Sequence, residues 1–130
     1  MFKILVATDG SEHAEKVVKD AVRIAGPIQA EVIVLTVEDW TAPDRGSSEK
    51  AKETVEKAAA PFRENNIEVN TMIRRGTKRP ADVIIDVANE ENVDLIMLGS
   101  RGIRGIQEVF LGSVSHRVVH QSKRNVLIVK

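Results

Sequence analysis

The sequence predicts an α/β fold, a three-layer sandwich in which a parallel sheet carries helices on both faces. Short apolar runs alternate with longer segments whose apolar residues recur at helical spacing, in the order βαβαβαβαβ. Most of these runs are continuous, which is typical of strands covered on both faces. Parallel strands joined in this way have right-handed crossovers. The length of 130 residues suits one domain, which we expect to span residues 1–130.

The first two strands and the first helix follow from the opening of the chain. Residues 3–8 form a mostly apolar run that ends at Asp9. Ser11 is a good N-cap for the following helix, because its hydroxyl can accept a hydrogen bond from a backbone N–H of the first turn. We expect Gly26-Pro27 to stop this helix, since glycine and proline are common at helix ends. Residues 31–37 predict the second strand.

The middle of the chain predicts a long loop, a helix and an edge strand. Residues 38–48 are polar and form the longest loop, and the next helix covers about 48–65. Pro61 lies inside this helical pattern, and we expect it to bend or shorten the helix. Residues 67–73 alternate between apolar and polar, which indicates a strand exposed on one face, at or near an edge. Residues 74–79 then turn the chain.

The last part of the chain predicts two helices and two strands. Pro80 suits the first turn of a helix, where its missing N–H has no partner to lose. Residues 94–98 predict a buried strand, and 113–121 predict the last helix. The final strand covers Asn125 to Val129. It would form an edge of the sheet, and exposed edges can pair with another chain.

The composition argues against several classes of function. The 19 basic residues balance the 19 acidic residues, whereas proteins that bind nucleic acids or membrane surfaces usually carry a basic surplus. The chain has no cysteine, so disulfides, thiol catalysis and cysteine metal sites are excluded. No apolar run approaches the roughly 20 residues that span a bilayer, and the N-terminus lacks a signal-peptide pattern. We expect a cytoplasmic protein without nucleic-acid or membrane partners.

A glycine-rich segment directly follows the fourth strand. It begins with Gly99-Ser100-Arg101-Gly102, continues through Gly105 and reaches Gly112-Ser113 at a helix start. Glycine lets backbone N–H groups approach a ligand closely, and such loops often cradle phosphates. The pattern is neither a Walker A loop nor the dinucleotide fingerprint, which follows a first strand. A phosphate site and a loop with glycines only for its turns both remain open on this evidence.

The start of the last helix favours the phosphate site. The first N–H groups of a helix have no partner within it, and the helix dipole attracts negative charge there. The hydroxyls of Ser113 and Ser115 would add two donors. Ser113 can instead serve as the N-cap, or it can do both.

Asp9 is the second candidate for ligand contact. Ligands of open parallel sheets bind outside the carboxyl ends of the strands, where the strand order reverses. If the first and fourth strands are neighbours at that point, Asp9 and the glycine-rich segment share one crevice. A carboxylate there can bind ribose hydroxyls or a metal, or it can simply cap the first helix.

Together these residues resemble a known family. The spacing Gly99-x2-Gly102-x9-Gly112-Ser113 is similar to the ATP-binding motif of the universal stress protein family. The opening Ile4 to Ser11 and the closing Asn125 to Val129 extend the resemblance over nearly the whole chain. It implies a five-stranded parallel sheet of order 3-2-1-4-5 and homodimers paired through the last strand. It also implies bound ATP with Mg²⁺ or Mn²⁺, whose protein ligands stay unassigned.

The resemblance also implies roles for individual residues. Asp9 would accept hydrogen bonds from the ribose, and the backbone of Val37 would meet the adenine edge. Ala7 and Leu98 would line the adenine pocket, although family members that bind ATP often have proline in place of Ala7. The glycines and the serine-rich helix start would hold ribose and phosphates. The expected nucleotide-binding residues are Ala7, Thr8, Asp9, Val37, Leu98, Gly99, Ser100, Arg101, Gly102, Gly105, Gly112, Ser113, Val114 and Ser115.

The three histidines have weaker claims to a function. His116 and His120 are four residues apart on the predicted last helix, a spacing that suits a metal. No third ligand is evident, which favours two surface or packing histidines. His13 lies in the first turn of the first helix, near the crevice, and a ligand role is the less favoured interpretation.

Other side chains also lie near the predicted crevice. Arg101 and Arg104 flank the glycines, where they either neutralise phosphate charge or are solvated. The basic run that begins at Arg74-Arg75 and ends at Lys78-Arg79 is best explained as a solvated turn. Trp40, the only tryptophan, either covers the adenine end of the pocket or packs the long loop, and we favour packing.

Three functions remain open from the sequence. The leading hypothesis is a regulatory protein that binds ATP with a divalent metal, because no residue is plainly placed as a nucleophile or base. Hydrolysis would be slow at most. One alternative is an enzyme of the adenine-nucleotide α-hydrolase type, which would need a catalytic lysine or histidine pair near the phosphates. The other is a dimeric scaffold that binds no nucleotide, which the three motif glycines disfavour.

Overall fold

The protein alternates five strands with four helices, as the sequence predicts. The computed structural model describes residues 1–39, 47–76, 78–100 and 112–130, and the structural statements below concern these residues. The elements are β1 (Lys3–Ala7), α1 (Glu12–Ile28), β2 (Glu31–Asp39), α2 (Ser47–Glu64), β3 (Val69–Gly76), α3 (Pro80–Glu90), β4 (Leu95–Gly99), α4 (Ser113–Gln121) and β5 (Asn125–Val129).

The five strands form one parallel sheet in the order β3-β2-β1-β4-β5. This confirms the order implied by the family resemblance and the edge position predicted for β3. The strand β1 lies between β2 and β4, with Ile4 opposite Leu95 and Val6 opposite Met97 on the β4 side. The order of the strands therefore reverses between β1 and β4, which is where open sheets of this kind bind ligands.

Each face of the sheet is covered by one pair of helices. Ile4 and Val6 of β1 point to one face, where they join a core that includes Val17 of α1 and Phe62 of α2. Leu5 points to the other face, into a core formed with residues of α3 and α4. This alternation explains why β1 is apolar throughout. Phe62 is fully buried, and burying a side chain of that size contributes roughly 1.5–3 kcal/mol.

The prediction that Gly26-Pro27 stops the first helix was wrong. The helix α1 continues to Ile28, and Gln29, in a left-handed conformation with φ of 53°, closes it through its N–H and the carbonyls of Ala25 and Gly26. Proline disfavours helical backbone in the preceding residue mainly through that residue's Cβ and N–H, and Gly26 has no Cβ. Ser11 is the N-cap as predicted.

Three further boundaries differ from those expected. Pro61 does not shorten α2, which runs on to Glu64. The strand β2 continues through residues 38 and 39, which the sequence placed in the long loop. The strand β3 begins later than predicted and takes in Arg74 and Arg75, which were expected to turn. The two strands extend together, since Glu38 lies opposite Arg75 and the two side chains form an ion pair.

Candidate functional site

The carboxyl ends of β1 and β4 bring the predicted site residues to one edge of the sheet. Val6 lies opposite Met97, so the turn that holds Asp9 and the residues that follow Leu98 lie side by side. This confirms that the first and fourth strands are neighbours, the condition on which the shared crevice depends.

The two ends of the glycine motif meet at this edge. The N–H of Gly112 donates to the carbonyl of Ser100 at 3.1 Å, and the N–H of Ser100 donates to the carbonyl of Val129 at 2.9 Å. The motif therefore leaves β4 and returns to α4 at the same place. Arg101, Gly102, Arg104 and Gly105 lie between these ends and are outside the described residues. Trp40, in the predicted long loop, is also outside them.

The first turn of α4 begins at Gly112, which is its N-cap. The alternative in which Ser113 caps the helix is therefore wrong, because Ser113 is already the first helical residue. The hydroxyl of buried Ser115 donates to the carbonyl of Gly112 at 3.1 Å, so it stabilises the turn. The backbone N–H groups of Ser113 and Val114, in the first turn, have no partner within the helix. These N–H groups are the donors that this helix start offers.

The packing of the described residues does not require a glycine at position 112. A Cβ added there would lie 3.5 Å from the carbonyl oxygen of Ser100 and 3.9 Å from Oγ of Ser115, which are ordinary contacts. Its φ of −63° is open to any residue. Because glycine has no side chain, a phosphate that approaches the first N–H groups of α4 would meet none at position 112.

Gly99 meets a different requirement. A Cβ added there would lie 2.6 Å from Cδ2 of His13 and 3.4 Å from Cγ2 of Val17. The ring of His13 thus occupies the space that a side chain at position 99 would need. The sequence interpretation assigned this glycine to a ligand and did not detect the neighbour from α1.

The turn between β1 and α1 is held by its own side chains. Oδ1 of Asp9 accepts a hydrogen bond from the N–H of Ser11 at 2.9 Å, and Oγ1 of Thr8 accepts one from Gly10 at 3.2 Å. Gly10 has a φ of 79°, a conformation that favours glycine. Asp9 is exposed, so it stabilises the turn while remaining accessible to a ligand. Thr8 is buried, and the carbonyl of Thr8 also accepts the hydroxyl of Thr36.

The three residues expected around adenine lie on one face of the sheet. Ala7, Val37 and Leu98 all pack against the core formed with α3 and α4. Leu98 is buried, whereas Ala7 and Val37 are half-buried and lie at the carboxyl ends of neighbouring strands. A flat apolar ring placed over them would cover the part of the core that the helices leave open.

A cavity of about 430 Å³ lies on the opposite face, between α1 and α2. It opens beside Thr8 and Gly10, and Ala14 and Val18 form part of its wall. It is distinct from the surface formed by Ala7, Val37 and Leu98, because the two lie on opposite sides of the sheet.

The charged residues near this edge are largely paired with one another. Arg74 donates to Glu90 at 2.9 Å and Lys78 to Asp86 at 3.0 Å, so the basic run contacts α3 in addition to solvent. The hydrogen bond from Lys78 to Asp86 raises the pKa of Lys78 above its usual value. Arg74 and Lys78 therefore already have carboxylate partners within the protein.

Two of the histidines form a close pair, and the third makes a partly buried hydrogen bond. The rings of His116 and His120 are 4.4 Å apart between centroids, and both side chains are exposed. Within residues 1–39, 47–76, 78–100 and 112–130, no three His, Asp or Glu side chains are grouped as metal ligands would be. Nε2 of His13 donates to the carbonyl of Val129 at 2.9 Å.

Glu38 is a buried carboxylate that the sequence interpretation missed. Oε2 accepts a hydrogen bond from Nε of Arg75, and Oε1 has no hydrogen-bond partner in the part of the chain that the structure describes. Buried unpaired carboxylate oxygens are costly. The signal available in the sequence was the position of Glu38 directly after Val37, at the end of a strand.

Comparison with known proteins agrees with this geometry. The profile of the Universal stress protein family matches residues 1–130. The chain belongs to this family. The universal stress protein YxiE of Bacillus subtilis is 35% identical, over 98% of this chain and 98% of its own length.

Two solved structures relate the universal stress protein fold to small molecules. The structure of the universal stress protein of Archaeoglobus fulgidus in complex with dAMP matches this chain with a TM-score of 0.83 and 27% identity, and the match covers 100% of this chain and 98% of the other. A universal stress protein in complex with cAMP matches with a TM-score of 0.79 and 27% identity, and the match covers 98% of this chain and 95% of the other.

Among the described helices of this chain, none is long and apolar enough to cross a membrane.

Proposed function

We propose that this universal stress protein binds ATP as a regulatory nucleotide at the carboxyl ends of β1 and β4. The observation that carries the proposal is that Gly112 places no side chain beside the first N–H groups of α4, which have no partner within the helix. A helix start with space for a close approach is a favourable place for a phosphate. Residues 1–130 would act as one nucleotide-binding domain.

The residues at this edge divide into three groups in the proposed complex. Asp9 accepts hydrogen bonds from the ribose hydroxyls, which its exposure allows. Ala7, Leu98 and the backbone of Val37 contact the adenine. The phosphates lie against the start of α4. This last group comprises Gly112, Ser113, Val114 and Ser115, together with Gly99, Ser100, Arg101, Gly102 and Gly105 as the family resemblance implies.

The two relatives solved with dAMP and cAMP support an adenine nucleotide in particular. Both ligands share the adenine base and a phosphate with ATP, although dAMP has a deoxyribose and the ribose of cAMP is closed onto its phosphate. The apolar surface of Ala7, Val37 and Leu98, the carboxylate of Asp9 and the start of α4 offer one kind of contact for each of these parts.

A divalent metal fits this site as a companion of the nucleotide. Mg²⁺ usually keeps several waters and binds through substrate phosphates and one or two carboxylates. Asp9 is the exposed carboxylate at this edge, and Mg²⁺ or Mn²⁺ would neutralise phosphate charge there. The absence of a grouped set of three ligands among the described residues is consistent with a metal held mainly by the phosphates.

The chemistry of the described residues favours holding the nucleotide over consuming it. The hydroxyl of Ser115 is already bonded to the carbonyl of Gly112, and the described residues at this edge offer backbone N–H groups and the exposed carboxylate of Asp9. A nucleophile paired with a base would be needed for efficient transfer. Chromatography of ATP incubated with the protein tests this, and rapid formation of AMP or ADP would favour the enzyme alternative.

Pairing through β5 is the second part of the proposal. The carbonyl of Val129 points to β4, because it accepts the N–H of Ser100. Backbone groups alternate along a strand, so those of Val126 and Ile128 point to the free edge. An unpaired edge of this kind can bind a second copy, and we propose a homodimer of a cytoplasmic stress-response protein. Light scattering at micromolar concentrations tests the dimer.

Calorimetric titration with ATP and Mg²⁺ tests the nucleotide proposal directly. We expect saturable binding, and a flat titration at millimolar ATP would refute it. The variant Asp9→Ala removes a charged acceptor worth roughly 1.5–3 kcal/mol, so affinity should fall about tenfold or more. The matched control is Asp9→Asn, which keeps an oxygen for the N–H of Ser11. Equal losses in both variants implicate the charge, whereas a loss in Asp9→Ala alone implicates the turn.

A further inference from the structure

We propose that His13 is a positioning residue for the nucleotide site, and that Gly99 is a glycine because it receives the ring of His13. This inference rests on the proposed binding of ATP at the same edge. It gives Gly99, in addition to its place beside the phosphates, a role in packing that Gly112 does not have.

The ring of His13 is fixed from two sides. It belongs to the first turn of α1, and Nε2 lies 2.9 Å from the carbonyl oxygen of Val129. A carbonyl only accepts, so Nε2 carries the proton and donates. The hydrogen bond holds the ring over the end of β4. The ring cannot move away from a side chain added at position 99 without breaking this hydrogen bond.

Gly99 is the residue over which the ring lies. A Cβ at that position would be 2.6 Å from Cδ2 and 3.1 Å from Nε2 of His13. Carbon atoms that are not bonded prefer about 3.5–4.0 Å, so a methyl group at position 99 and the ring of His13 cannot both keep their places. The buried side chain of Val17 lies behind this space at 3.4 Å and prevents the methyl from shifting towards α1.

The contact bears on ligand binding through the carbonyl of Val129. That oxygen accepts both the Nε2–H of His13 and the N–H of Ser100, each at 2.9 Å. The carbonyl of Ser100 in turn accepts the N–H of Gly112 at 3.1 Å. A continuous set of hydrogen bonds thus joins α1, the end of β5, the first part of the motif and the start of α4. Displacing His13 displaces the residues that position Gly112.

The experiment combines two substitutions and measures the affinity for ATP with Mg²⁺ by calorimetry. We expect Gly99→Ala to weaken binding about tenfold or more, because the methyl displaces the ring. The double variant His13→Ala/Gly99→Ala removes the clash, and its affinity should return to within about threefold of His13→Ala alone. His13→Gln keeps an N–H close to the position of Nε2, and its affinity should exceed that of His13→Ala.

Two controls separate positioning from general destabilisation. Gly26→Ala makes the same chemical change at the far end of α1, where a Cβ disfavours helical backbone before Pro27 but meets no described atom outside the helix within 4 Å, and it should leave the affinity unchanged. Val55→Ala removes buried volume from α2, which covers the same face of the sheet as α1. It should lower the melting temperature without weakening the binding of ATP.

Each outcome decides the proposal. The inference is overturned if Gly99→Ala binds ATP as the wild type does, or if the double variant binds ATP more than about threefold more weakly than His13→Ala. The latter would mean that the ligand itself occupies the space at Gly99. A loss of affinity in Val55→Ala as large as that in Gly99→Ala would also overturn it. If the wild-type protein does not bind ATP, the proposed function fails. If the wild type binds ATP but the double variant binds it more than about threefold more weakly than His13→Ala, only the inference about His13 and Gly99 fails.

Discussion

Gly112→Ala is the substitution that most directly tests where a phosphate would lie. The structure predicts that the fold tolerates it, because the new methyl would make contacts of 3.5 Å with Ser100 and 3.9 Å with Ser115. The φ of −63° and ψ of 165° at Gly112 are as accessible to alanine as to glycine.

The effect on stability follows from two opposing terms. Alanine is a poorer N-cap than glycine, which costs about 0.5–1 kcal/mol. Replacing glycine also lowers the entropy of the unfolded chain, which stabilises the protein by about 0.4–1 kcal/mol. The free energy of unfolding should therefore change by no more than about 0.5 kcal/mol, and the melting temperature by no more than about 3 °C.

The effect on ligand binding should be much larger. A methyl group beside the free N–H groups of α4 prevents a phosphate from approaching them, and each charge-assisted hydrogen bond lost costs roughly 1.5–3 kcal/mol. Calorimetry with ATP and Mg²⁺ should show an affinity about 10- to 150-fold lower than that of the wild type. A wild-type affinity in a variant with an unchanged melting temperature would refute a phosphate at Gly112. A collapse of the melting temperature would refute our description of its surroundings.

Three further predictions concern stability, assembly and pH. Phe62→Ala leaves a cavity in a fully buried position and should reduce the free energy of unfolding by about 3–5 kcal/mol in urea titrations, with a wild-type result refuting the core position. Ile128→Pro removes an N–H from the free edge of β5 while keeping its bonds to β4, so light scattering should detect a monomer that still binds ATP. The hydrogen bond from Arg117 lowers the pKa of Asp82 below its ordinary 3.8, so the ion pair stabilises the protein above that range and is lost as the pH falls through the lowered pKa. The variant Asp82→Asn should melt below the wild type at pH 7, and the difference should vanish in acid; an equal difference at both pH values would contradict the ion pair.

The sequence predicted the order of the elements because the pattern of burial is local. The run from Ile4 to Val6 is apolar at every position, since alternate side chains enter two different cores. The alternation around Val69 to Ile73 is that of an edge strand with a polar face. Periodicity alone carries this information, so all five strands and four helices were found.

The boundaries were less predictable because they depend on neighbours in space. The strand β2 continues to Asp39 because β3 pairs with it residue by residue as far as Gly76. Both segments contain polar residues, so the sequence predicted a loop after Val37 and a turn at residues 74–79. The ion pair between Glu38 and Arg75 that joins them is a tertiary contact, and spacing along the chain does not encode it.

The motif illustrates the same limit for function. The sequence does not distinguish its first glycine from its last. In the structure, a Cβ at Gly99 would lie 2.6 Å from the imidazole ring of His13, whereas among the described residues a Cβ at Gly112 would make only ordinary contacts of 3.5 and 3.9 Å. Only tertiary contacts distinguish a glycine that the protein's own packing requires from one that leaves room for a ligand. The two substitutions to alanine should therefore behave differently when they are added to His13→Ala: Gly99→Ala should cost little further affinity, and Gly112→Ala should still cost its full amount. If neither substitution cost further affinity in that background, a single shift of the carbonyl of Val129 would explain both losses, and Gly112 would no longer report on a phosphate.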